Sequence, residues 1–121
     1  MKIMFIAAGL LFGTLAAAYA HDQKGPHGGR QVDAGNMHVE LITKGTTIDV
    51  FVADAAAKPV DPAGYKGLAI LVVNGKAARI PLAPAGNDRL TGTAPAEVTG
   101  EPKGAVQLTT PSGSMVQGKF D

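Results

Sequence analysis

Three histidines stand in this chain, at His21, His27 and His38, and none follows over residues 39–121. Neutral imidazole is the commonest protein ligand for copper, zinc and nickel, so the crowding of all three into one short stretch points to metal chemistry. His27 sits in Gly25-Pro26-His27-Gly28-Gly29, a loop able to fold back on its surroundings. His38 has Glu40 two residues on, and in an extended strand the two side chains point the same way. Met37 adds a thioether of the soft kind that suits copper(I). His21 carries most weight if the chain is cut after Ala20, because a terminal histidine offers a ring nitrogen and a free α-amino nitrogen to one ion. A second imidazole would then complete a tetragonal copper(II) site. The expected ligand set is therefore His21, His27, His38, Glu40 and Met37, with Asp22 as a further oxygen donor. Copper is the expected ion, with zinc or another divalent metal as the alternative.

Each residue also has an ordinary reading. Met37 can fill a core gap, His38 can hydrogen-bond to Glu40, and His27 can sit in solvent. Only the clustering favours a shared role. The pattern lacks the geometry of stronger metal motifs: there is no cysteine, no pair of histidines at helical spacing, and residue three after Ala20 is Gln23 rather than histidine. Enzyme constellations are also missing. No Gly-x-Ser-x-Gly elbow or phosphate-binding loop occurs, and Asp49 and Asp54 fall on opposite faces of a strand, which argues against a carboxylate pair. The expectation is a protein that binds and does not catalyse.

The elements that would carry these residues are short. Residues 1–20 read as a cleavable secretory signal: Lys2 first, then an uncharged apolar run, then Ala18-Tyr19-Ala20. The run falls short of the roughly 20 apolar residues of a membrane span, so a periplasmic protein, not embedded in the membrane after cleavage, is expected. Residues 21–31 are polar and glycine-rich and read as a flexible arm. From residue 32 to 121 short β-favouring runs alternate with turns. Residues 37–43 and 47–54 form one hairpin, with Val39 and Leu41 on one face of the first strand and His38, Glu40 and Ile42 on the other. Residues 54–65 are a proline-interrupted loop. Residues 68–73 form a continuous apolar strand expected to be buried on both faces. Asn74-Gly75 predicts a tight hairpin into residues 76–82, with Pro81 placing that strand's end at an edge. Residues 89–93, 105–109 and 114–120 complete about seven strands. The expected fold is all-β, a small antiparallel β-sandwich of immunoglobulin-like size, with a small open barrel as the nearest alternative.

Removing Lys2 with the signal leaves ten basic against ten acidic residues. A near-neutral domain gives no electrostatic case for nucleic acid or an anionic membrane.

The words Gly25-Pro26-His27-Gly28-Gly29-Arg30, Val32-Asp33-Ala34-Gly35 and His38-Val39-Glu40-Leu41 together resemble the opening of a small periplasmic β-domain found in heavy-metal efflux adaptors. Stand-alone periplasmic proteins associated with metal resistance share it. Val50-Phe51-Val52-Ala53-Asp54, Lys58-Pro59-Val60 and Ile80-Pro81-Leu82-Ala83-Pro84 continue the resemblance over most of the chain after residue 20. It implies a metal role for His27 and His38, and an efflux-pump component as partner. The function expected is a periplasmic protein that carries or buffers copper or a similar divalent ion. The rival expectation is a non-catalytic interaction module that docks a partner without metal.

Overall fold

In the computed structural model, residues 23–121 are described, so residues 1–20, read as a signal, and His21 and Asp22 lie outside the described part. The described chain is a succession of strands: β1 (Gln23–Lys24), β2 (Arg30–Ala34), β3 (Met37–Lys44), β4 (Thr47–Ala53), β5 (Lys66–Val73), β6 (Lys76–Ala85), β7 (Arg89–Thr93), β8 (Gly104–Thr109) and β9 (Met115–Phe120). Among the described residues no helix is long and apolar enough to cross a membrane.

Every pairing is antiparallel, and the strands follow the order β2-β3-β4-β7-β6-β5-β8-β9. Ala34 of β2 then pairs with Gly118 of β9, which closes the ring. The expected sandwich of about seven strands is therefore corrected to an eight-stranded closed barrel, with β1 added on the outside of the ring. The alternation of inward and outward residues is the same in either architecture, so period-two patterning could not separate them. What decides is β2, which the sequence reading divided between arm and domain. Its Val32 and Ala34 point inward beside Val39, Leu41, Ile48, Val50 and Phe120, all nearly or wholly inaccessible to solvent.

Closure also explains two other departures. The run over residues 68–73 is not buried on both faces. Ala69, Leu71 and Val73 face the interior, while Leu68 and Ile70 are half-buried and Val72 is 46% exposed. A barrel has one interior, so the other face of β5 is left outside. Nor does β6 end at Pro81, because it continues to Ala85 and its pairing with β7 begins only at Ala83. Pro81 thus lies where that edge of β6 is not yet paired, as a residue without an N–H requires. The Asn74-Gly75 turn is as expected: both residues have positive φ and join Val73 directly to Lys76.

Two connections join strands that are consecutive in sequence but not neighbours in the sheet, β4 to β5 and β7 to β8. Residues 94–103 run over one end of the barrel, where Ala94 and Val98 are buried and their amides donate to the carbonyls of Thr46 and Gly45. Residues 54–65 turn back along β4, with the Val60 amide donating to the Val52 carbonyl. Asp54 accepts from the amides of Ala56 and Lys58, and Ala53 bridges to Pro59.

The seam between β2 and β9 has one ladder pair and is reinforced by Arg30. Its guanidinium donates to the carbonyl of Pro102 at 2.6 Å and to that of Asp121 at 3.1 Å, and lies 5.3 Å from the centre of the Phe120 ring. The strands approach closely here because residue 118 has no side chain. A Cβ at that position would lie 2.8 Å from Val32 Cγ2 and 3.5 Å from Ala34 Cβ. Gly118→Val is predicted to destabilise the fold by about 1–3 kcal/mol, read as a lower urea midpoint. An unchanged midpoint would show that the seam is looser than described.

Candidate metal-binding cleft

The outward face of β2, β3 and β4 carries the candidate residues, because the inward positions are taken by the core. Strand register sets them in rows. Gln31 lies opposite Glu40 and Glu40 opposite Phe51; one step along, Asp33 lies opposite His38 and His38 opposite Ala53. An outward carboxylate on a strand would ordinarily be solvated, yet Glu40 is only 2% exposed. The glycine-rich arm covers it.

That arm is not loose from Gln23 onward. Gln23 and Lys24 pair with Gln31 and Arg30, and residues 25–29 form a turn closed by the Gly25 amide on the Gly29 carbonyl at 2.7 Å. Glu40 reaches up into this turn. Oε2 accepts from the backbone amides of His27 at 2.9 Å and Gly29 at 2.8 Å, and Oε1 lies 2.7 Å from His27 Nδ1. Charge-assisted bonds of this kind contribute about 1.5–3 kcal/mol each, enough to offset the desolvation of one carboxylate. Side chains at Gly25 and Gly29 are excluded by the same packing. A Cβ on Gly25 would collide with the Glu40 carboxyl carbon, and one on Gly29 would meet the Leu41 carbonyl at 2.6 Å.

The His27 ring is fixed from two directions. Phe51 lies beneath it at 3.8 Å between ring centres, with the planes only 16° apart. An oxygen that already takes backbone donors behaves as an acceptor, so the ring places its proton on Nδ1 and turns Nε2 away from Glu40. His38 also meets a carboxylate, with Nδ1 at 2.9 Å from Asp33 Oδ1, but here the carboxylate is 77% exposed. His27 and His38 line one cleft of about 160 Å³, floored by Glu40 and Phe51 and walled by Pro26 and Pro59. Neither Nε2 has a hydrogen-bond partner among the described residues. Asp88 stands at the cleft's margin. The Arg89 guanidinium that hydrogen-bonds to it holds its carboxyl below the ordinary carboxylate value, and Asp88 raises Arg89 in return.

The expected ligand set thus divides. His27 and His38 are brought together. Glu40 is on their face, but its oxygens are spent on the arm, so it positions His27 and has little left to offer an ion. Met37 is on the other side of β3, packed with the core, and the strand's alternation puts it with Val39 and Leu41 instead of His38. His21 lies outside the described residues. Among the described residues no three His, Cys, Asp or Glu side chains are arranged to hold a metal ion. The sequence reading missed Asp33 and Phe51. Asp33 was legible in principle, since a two-residue turn after Ala34 makes it the cross-strand partner of His38. Phe51 was not, because nothing local indicates that a loop twenty-four residues earlier will lie on it.

Comparison with known proteins finds no matching family model, no matching curated protein and no matching solved structure.

Glu40→Gln is predicted to cost about 1–3 kcal/mol, because an amide presents one oxygen and an N–H where three N–H groups need acceptors. Hydrogen exchange at the His27 and Gly29 amides should rise well beyond that of the barrel. Exchange as slow as in the parent protein would mean that the carboxylate does not hold the arm.

Proposed function

We propose that this is a periplasmic metal-binding protein that carries or buffers copper, or a similar divalent ion, in the service of heavy-metal efflux. The observation that carries this reading is the pair of imidazoles in one cleft, each with Nδ1 on a carboxylate and Nε2 unengaged. Metal-bound histidine characteristically donates its second nitrogen to a carboxylate, which fixes the tautomer and raises the basicity of the ligating atom. Asp33 and Glu40 are such partners. The resemblance of residues 25–41 to the opening of efflux-adaptor domains points the same way. Asp88 at the cleft's margin is paired with Arg89, which lies 5.0 Å from the centre of the Phe51 ring, so these two side chains add no net charge there.

Two nitrogens leave the coordination of copper(II) incomplete. His21 is the proposed source of the rest, through its ring and, after removal of residues 1–20, its α-amino nitrogen. Gln23 pairs with Gln31, which lines the cleft, and two extended residues span at most about 7 Å. Zinc, which accepts nitrogen donors in fours, is the alternative ion. Met37 and Glu40 have no place in this set.

Calorimetric titration of the protein beginning at His21 tests the reading. Copper(II) is expected to bind more tightly than about 10 μM, and Asp33→Asn to weaken it by about 10-fold through loss of the carboxylate behind His38. Equal binding by a variant with His21, His27 and His38 all changed to alanine would refute the assignment and leave the metal-free interaction module.

A further inference from the structure

The balance of charge outside residues 1–20 conceals an uneven distribution. No acidic residue occurs within residues 62–87 or 102–120, the spans that hold β5, β6, β8 and β9. The same spans carry Lys66, Lys76, Arg79, Lys103 and Lys119, all exposed, and none forms an ion pair with a described residue. Strand register arranges part of this set. Ile70 lies opposite Arg79 on β6 and Ala105 on β8, and Ala105 lies opposite Lys119 on β9. The result is an outward row across four adjacent strands, about 14 Å long, with a cation at each end and aliphatic side chains between. Leu68 and Pro81 form the centre of the next row, and Val72 is 46% exposed beyond Ile70.

We propose that this wall docks the protein onto an anionic phospholipid surface. Unpaired cations flanking exposed aliphatic side chains supply both forces of peripheral lipid binding, attraction to acidic headgroups and partial burial of apolar surface. Long basic side chains can lay their stems on apolar surface while the charged ends stay at the headgroups. A convex barrel meets a plane along a strip a few strands wide, and the cation row has that width. A protein partner is the poorer match. Interface cores favour aromatic side chains and disfavour lysine, whereas the outward positions of these four strands hold no aromatic residue. Orientation follows from the strand order: β5 and β8 lie four places around the ring from β3 and β4. A barrel seated on its basic wall holds the histidine cleft away from the lipid and open to solvent.

The test is flotation with vesicles of phosphatidylcholine, alone or with about 30% phosphatidylglycerol, at low salt and at about 0.5 M salt. Binding is expected only with phosphatidylglycerol and only at low salt. Each cation near such a surface contributes roughly fivefold in affinity, so R79E/K119E should bind more than about 20-fold more weakly. Circular dichroism of the variant should match the parent. K44E/K58E, on the cleft side, should bind as the parent protein does. Failure of the anionic vesicles to retain the protein overturns the proposal and leaves the wall to an acidic protein partner. Equal loss in both double variants overturns it too, since net charge alone would then explain the binding.

Discussion

The buried carboxylate of Glu40 is the interaction on which the cleft depends. It sits on the solvent side of β3, where burial is imposed not by the core but by the arm folded over it. A charge removed from water must be met by donors, and three N–H groups of residues 27–29 meet it. In doing so they fix the loop, lay the His27 ring on Phe51 and set its tautomer. The same bonds therefore stabilise the arm and prepare an imidazole nitrogen for a ligand. His38 meets the exposed Asp33 through its own Nδ1, so two imidazoles that line one cleft each keep Nε2 unengaged among the described residues.

The barrel supplies the rigidity that this arrangement requires. A ring of strands has no free edges, and its interior is filled by aliphatic side chains and Phe120. The weakest part of the ring is the β2–β9 seam, where one ladder pair, the close approach at Gly118 and the reach of Arg30 to the Pro102 and Asp121 carbonyls hold the ends together. Because β2 forms this seam and also carries Asp33 and the partners of β1, closure and cleft are mechanically linked. Opening the seam would move the strand that positions both the arm and the carboxylate behind His38.

Much of the local structure was legible. Val39 and Leu41 against His38 and Glu40, the turn at Asn74-Gly75 and the strand over residues 89–93 follow from alternation and turn chemistry alone. Closure was not legible, since a sandwich and a barrel ask the same period of their strands. The outward face of β5 is not legible for the same reason: an unbroken apolar run looks like a doubly covered strand, and only the barrel shows that, among the described residues, Leu68 and Ile70 are half-buried and Val72 exposed. In the site, His27 and His38 were readable from clustering, Met37's side of the strand from parity, and Phe51 beneath His27 not at all.

The sequence by itself determined that the chain would form short antiparallel strands, that no thiol chemistry was available, and that histidine was confined to one end. Those properties are local, set by residue type and spacing within a few positions. Tertiary structure decided which carboxylate meets which imidazole, and that the cations of the acid-free spans gather on one wall while the other wall carries both signs. Both depend on strand pairing between residues far apart in the chain, and pairing is chosen by the closure of the whole ring.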